Sequence, residues 1–141
     1  MKAAEFEHHE PESVDRAVSL IESLDEPTIL AGGQSLVPML RFRLARPDTV
    51  VDINGIDDLA YLEEDDDPKI GALARHVDIE ESDVVTEHYG TFAAAAPLIA
   101  DPQTRNRGTF VRAVAPSVPQ ADWLSLLPAH PVRVAPHAPR R

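Results

Sequence analysis

A chain of 141 residues fits one domain of ordinary size, buries roughly two thirds of the surface its unfolded form exposes and, with 5% aromatics, rests its core on Val, Leu, Ile and Ala. It has no cysteine, which excludes a disulfide framework, thiolate-held zinc, an iron–sulfur cluster held by this chain and a cysteine nucleophile. The balance of 13 basic against 24 acidic residues, −11 overall, argues against recognition of nucleic acid or an anionic membrane through the general field, and the predicted partners include neither.

The first ten residues, MKAAEFEHHE, turn acidic before any hydrophobic region develops, and no apolar run approaches the roughly 18 residues of a membrane span, so a cytoplasmic location is expected. Lysine occurs only at Lys2 and Lys69 against eleven arginines. That pattern suits either a salt-rich, halophilic cytoplasm or an ordinary acidic domain. Ser13 is placed to cap a helix with Asp15 in its first turn, and Val14, Ala17, Val18, Ile21 and Leu24 recur at the spacing of one buried face. Pro27 follows its end. Thr28–Leu30 then reads as a short buried strand running into Gly32-Gly33. A Pro-interrupted turn follows, and Thr49–Ile53 makes a second β-branched strand behind Pro47, which gives a strand–loop–turn–strand unit. Tyr61-Leu62 and Lys69–Leu73 flank the acidic turn EEDDDP as a hairpin. Residues 82–89 and 91–100 read as helices with Ser82 and Thr91 as caps, the second kinked or broken by Pro97. The predicted class is α+β, without internal repeats.

Composition changes after residue 110. Residues 1–110 hold 9 basic and 23 acidic side chains, a net −14, whereas residues 111–141 hold 4 and 1, a net +3. All six glycines precede that point, and six of the thirteen prolines follow it. The expected division is therefore 1–110 as a partial folded domain and 111–141 as a Pro-rich tail, disordered or frameshifted.

The stretch AGGQS, residues 31–35, carries the chemistry. A strand that ends in Gly-Gly exposes consecutive backbone N–H groups with no Cβ in the way, so an anion such as a pyrophosphate can approach the main chain, and Gln34 and Ser35 add side-chain donors. It is neither the nicotinamide Rossmann fingerprint nor a P-loop, and a simple tight turn remains the competing reading.

Three blocks taken together, AGGQSLVPMLRFRLARPDTVVDINGI, KIGALARHVDI and ADPQTRNRGT, resemble the FAD-binding (medium) subunit of molybdenum hydroxylases. That family comprises the medium subunit of carbon monoxide dehydrogenase and the flavin subunits or domains of xanthine and aldehyde oxidoreductases. The resemblance covers roughly residues 1–110. It implies the N-terminal part of a FAD-binding domain of the vanillyl-alcohol-oxidase/xanthine-dehydrogenase (PCMH) type. In it Ala31, Gly32, Gly33, Gln34, Ser35 and Leu36 would form the first pyrophosphate loop, and Gly108 and Thr109 would open the second phosphate and flavin loop. The cofactor implied is FAD, and the partners are a large molybdopterin-binding subunit and a small 2Fe-2S subunit. Electrons would pass from the iron–sulfur clusters through FAD to an acceptor, with no catalytic residue and no metal ligand in this chain.

Family members continue the second block as G-T-I-G-G, whereas this chain reads Gly108-Thr109-Phe110-Val111-Arg112. The departure coincides with the change in composition, and a frameshift accounts for both. A divergent C-terminus with Asp122 and Trp123 replacing lost flavin contacts is the alternative. The expected function is accordingly a truncated FAD-binding subunit of an oxidoreductase, the other possibility being a non-catalytic remnant that no longer binds FAD.

Other candidates carry less. Glu7-His8-His9-Glu10 superficially resembles a metal cluster, but only alternate residues of a strand share a face, and a solvated edge strand is expected. Arg75-His76 with Asp78 is expected to be a polar surface turn. The acids Glu63–Asp67 read as a solvated loop. Ser35 lacks nearby His and Asp partners and the G-x-S-x-G elbow of a hydrolase.

Overall fold

The structure, a computed structural model, describes residues 2–63 and 69–110. The tip of the acidic turn and the whole tail 111–141, with the expectations placed on them, lie outside the described residues. The chain divides into two units between Asp58 and Leu59.

The first unit is built on a parallel sheet of three strands in the order β1-β3-β2, formed by β1 (Glu7–His9), β2 (Thr28–Leu30) and β3 (Thr49–Asp52). Glu7 pairs with Thr49 on one side of β3, and Thr28 pairs with Val50 on the other. The central strand reads Thr-Val-Val-Asp because a parallel strand flanked on both sides is covered on both faces, and Val50 and Val51 are completely buried. Helix α1 (Val14–Ser23) links β1 to β2. Ser13 caps it by accepting from Arg16 N–H at 3.3 Å, as the sequence leads one to expect. On its apolar stripe Ala17 is buried, while Val14, Val18, Ile21 and Leu24 are half-buried. Strand β2 is less enclosed than expected, with Ile29 39% exposed.

The Pro-containing segment after the glycines is not a turn but a helix, α2 (Leu36–Arg41). Pro38 stands in its first turn, where a backbone N–H has no intrahelical acceptor, so its missing donor costs nothing there. Leu36 and Leu40, four apart, bury that helix's inner face together with Ala31 and Ile56 of the first unit's core.

The second unit begins with the expected hairpin. β4 (Leu62–Glu63) and β5 (Lys69–Ile70) pair antiparallel, Leu62 opposite Ile70. Four short helices follow: α3 (His76–Glu81), α4 (Asp83–His88), α5 (Gly90–Ala95) and α6 (Pro102–Arg107). Ser82 caps α4 by accepting from Val85 N–H at 3.2 Å. Thr91 is not a cap: α5 starts a residue earlier, behind Tyr89, and Thr91 lies exposed within it. Pro97 ends the α-helical run, and Ala96–Leu98 continues as a 3-10 turn. Ile79, Val85, Phe92, Ala96, Ile99 and Phe110 form the core here. Phe92 meets the ring of Phe110 edge-on at 5.9 Å.

Candidate functional site

Residues 31–36 leave the C-terminal end of β2. In open parallel sheets ligands bind outside the carboxyl ends of the strands, and the Gly-Gly segment stands at that end. Gly33 has φ +75°, the left-handed region, and a Cβ there would lie 3.2 Å from Val37 Cγ2 and 3.4 Å from Leu30 Cδ1. Glycine is therefore demanded by backbone conformation and by space at once. Ala31, Gly32 and Leu36 are buried, whereas Gln34 and Ser35 are exposed. Ser35 precedes α2 without making a side-chain cap, and Gln34 Nε2 reaches only its own loop, at 3.5 Å from the Gly32 carbonyl. Both polar side chains thus stand at the loop surface.

Two interactions tie this loop to the following strand. Ile53 N–H donates to the Leu30 carbonyl at 3.0 Å, the last rung of the β2–β3 ladder. One residue further, the Asn54 side-chain amide takes the Ala31 carbonyl and also donates to Asp52 Oδ1 at 2.7 Å. Neither Asn54 nor Asp52 is a predicted site residue. The D-x-N spacing at the end of a β-branched strand, which lets an Asx side chain bond its own backbone two residues on, is the signal that points to them.

In the second unit, Gly108 and Thr109 follow α6. Asp101 caps that helix by accepting Thr104 N–H at 2.8 Å, with Pro102 at the first helical position. That backbone bond is the main reason the Asp101 carboxyl is held below the ordinary carboxylate range. Arg105 fixes the helix further: its Nε donates to Glu80 Oε2 at 2.8 Å, and Nη1 reaches the carbonyls of Ile99 and Ala100. The chain then runs antiparallel to residues 74–76. Thr109 bridges Arg75, His76 N–H donates to the Gly108 carbonyl at 3.1 Å, and Phe110 N–H donates to the Ala74 carbonyl at 2.9 Å.

His76 is 6% exposed, which corrects the expected polar surface turn; at the start of α3 the Asp78 carboxylate accepts the Arg75 backbone N–H at 2.6 Å. The imidazole lies against Gly108, where an added Cβ would fall 2.8 Å from His76 Cδ2 and 3.0 Å from the Thr104 carbonyl. Thr109 is 3% exposed, and its Oγ1 has no hydrogen-bond partner among the described residues. A buried hydroxyl without a protein partner is unfavourable unless something polar meets it. Each feature by itself, the orphaned Thr109 hydroxyl in the second unit and the Cβ-free turn at Gly32-Gly33 in the first, is of a kind that a diphosphate-bearing cofactor can use.

The Glu7–Glu10 stretch behaves as the alternation of a strand requires. His9 Nε2 approaches Glu7 Oε1 at 3.2 Å, while His8 lies between Glu10, 3.6 Å from Nδ1, and Asp52, 3.6 Å from Nε2. His8, Glu10 and Asp52 can bring ligand atoms within 4.8 Å of one another. As placed, the two carboxylates face opposite ring nitrogens of His8, one each, rather than converging on one of them. No helix among the described residues is long and apolar enough to cross a membrane.

Residues 4–139 match the family model described as FAD binding domain in molybdopterin dehydrogenase, so the likeness runs past residue 110. The chain is 42% identical over 123 residues to the carbon monoxide dehydrogenase medium chain of Hydrogenophaga pseudoflava, covering 86% of this chain and 43% of the relative. It is 40% identical over 130 residues to the 6-hydroxypseudooxynicotine dehydrogenase complex subunit alpha of Paenarthrobacter nicotinovorans, covering 91% and 43%. Among solved structures, the Cu,Mo-CO dehydrogenase in its cyanide-inactivated form superposes with a TM-score of 0.85 at 36% identity, over 91% of this chain and 46% of that one. The chain thus spans less than half the length of these relatives.

Proposed function

The chain belongs to the family of FAD-binding domains of molybdopterin dehydrogenases, and from that premise we propose that it holds FAD as the flavin-binding part of a molybdenum hydroxylase complex. Ala31–Ser35 supply backbone and side-chain donors to the cofactor's diphosphate, Leu36 anchors the loop in the core, and Gly108-Thr109 open the second cofactor-binding segment. The observation that carries this reading is the Ala31–Ser35 turn itself: a glycine held at φ +75° beside exposed Gln34 and Ser35 at the carboxyl end of a parallel strand.

Bound FAD would supply hydride and single-electron exchange, which lets a flavin subunit connect iron–sulfur clusters to an acceptor. The residues described here bind and orient rather than move protons. The Thr109 hydroxyl, buried and unpartnered among the described residues, supports this reading as a group that a cofactor's polar atoms would satisfy. His76 and the α6 cap fix the backbone that carries it. In this arrangement the substrate is oxidised in a large molybdopterin-binding subunit, and a small 2Fe-2S subunit delivers the electrons. Relatives named as medium chains and as subunits of dehydrogenase complexes support that assignment.

A second reading, a remnant that no longer holds FAD, draws on the departure from G-T-I-G-G after Thr109. Phe110 does not itself favour it, since its ring fills the core at the place the pattern gives to Ile. Titration of the chain with FAD, followed by flavin fluorescence, decides between the two. Saturable binding that Gly33→Val abolishes is the expected result; no saturable binding by the parent chain would leave the remnant reading.

A further inference from the structure

We infer that Asn54, oriented by Asp52, is a positioning residue that sets the direction of the Gly32 N–H in the first diphosphate loop. This rests on the flavin reading above for its functional consequence, though not for its structural one.

The Asn54 side chain has two N–H donors, and the structure gives each an acceptor: the Ala31 carbonyl and Asp52 Oδ1. Because both neighbours are acceptors only, the amide nitrogen rather than its oxygen must face them. Asp52 Oδ1 also accepts the Asn54 backbone N–H at 2.9 Å, so the carboxylate fixes both ends of the residue. Its other oxygen faces His8. Asp52, Asn54 and Ala31 all lie at the carboxyl end of the β2–β3 pair, where the backbone ladder has ended with the Ile53–Leu30 bond. A side chain thus continues the ladder by one rung.

The consequence follows from the peptide plane. The Ala31 carbonyl and the Gly32 N–H belong to the same trans unit and point in opposite directions. Pinning the carbonyl toward Asn54 therefore aims the Gly32 N–H away from Asn54. Without that pin the 31–32 peptide is free to flip, since Gly32 has no Cβ to resist rotation about its φ. A flipped peptide presents a carbonyl oxygen to an anion where a donor is required. Asn54 thus touches no ligand; it selects which face of one peptide the ligand meets.

The test uses Asn54→Ala in the full chain without FAD, read by amide hydrogen exchange. Val37 N–H is bonded to the Gly33 carbonyl at 2.9 Å and reports on the loop, while Ala17 N–H, bonded to the Ser13 carbonyl at 2.9 Å, reports on the rest of the same unit. Exchange at Val37 about tenfold faster with Ala17 unchanged is the expected result; an unchanged Val37 rate overturns the inference. Should both amides exchange faster, Asn54→Gln is measured: restored protection at both sites supports the amide latch, and failure to restore it overturns the latch. FAD titration of the same variants separates this from the flavin reading. Affinity lowered about tenfold by Asn54→Ala supports the link to the ligand, and equal affinity in parent and variant overturns it. A parent that binds no FAD, with Val37 still loosened by the variant, overturns the flavin reading and leaves the latch standing.

Discussion

At Gly33 and Gly108 the same amino acid is required for different reasons, and the difference is testable. Gly33 occupies φ +75°, so any β-branched replacement is strained as well as crowded; Gly33→Val is expected to abolish the FAD titration. Gly108 has ordinary extended backbone, φ −64° and ψ 139°, and is required only because the His76 ring and the Thr104 carbonyl fill the space where a Cβ would go. Gly108→Ala should cost about 1–3 kcal/mol of unfolding free energy in a denaturant titration. Since part of that cost is the contact with the imidazole, a double variant with His76→Ala should lose less than the sum of the two single variants. The sequence alone reveals both glycines, because a strand that runs into Gly-Gly and an R-N-R-G-T string stand out as strings. It does not reveal His76, whose burial depends on a strand-like pairing with residues 34 or so positions away, or Asn54, whose role lies in one side-chain bond across a gap of 23 residues.

Short elements were legible where a local signal starts or stops them. Ser13 and Ser82 announce α1 and α4 through their caps, Pro97 announces the end of α5, the β-branched run announces β3, and the acidic turn announces the hairpin. Helix α2 is concealed by Pro38, which reads as a breaker unless its place in the first turn is recognised. Helix α6 carries its own signal in Asp101-Pro102, a cap followed by proline, inside a segment otherwise read only as a binding motif. This cap gives the fold a defined response to acid. The Asp101 carboxyl is held below its unfolded value, chiefly by the Thr104 backbone bond, so its contribution is complete above the unfolded pKa of about 3.9 and is lost as pH falls through the folded value. Melting temperatures of Asp101→Asn, which keeps an acceptor but cannot titrate, should therefore depend less on pH below about 5 than those of the parent. The Arg105–Glu80 pair ties α6 to α3 with side chains only 13% and 26% exposed, and Arg105 also meets two carbonyls. Arg105→Ala should cost about 2 kcal/mol, read from the midpoint of urea unfolding.

Over the whole molecule, composition points to an acidic domain whose net charge of −11 weakens the compact state through self-repulsion. Screening should relieve this, so the melting temperature is expected to rise between about 0.05 and 1 M KCl, where the Debye length falls from well over 10 Å to about 3 Å. A flat or falling profile would remove the case for a salt-adapted surface. The change in charge and proline content at residue 110 is plain in the sequence, yet the family match continues to residue 139, so a shift in composition does not by itself mark where the likeness ends. What the sequence conveys best is the order of three motif blocks, because Gly-Gly and R-N-R-G-T stand out as strings; what it conveys least is which side chains hold those blocks in shape. Whether the Ala31–Ser35 turn is a diphosphate cradle for FAD is decided by titrating FAD into the chain and into Gly33→Val under identical conditions. A saturable change in flavin fluorescence for the parent that is absent from the variant is the expected result; equal curves for the two, or no saturation with either, would rule the cradle out.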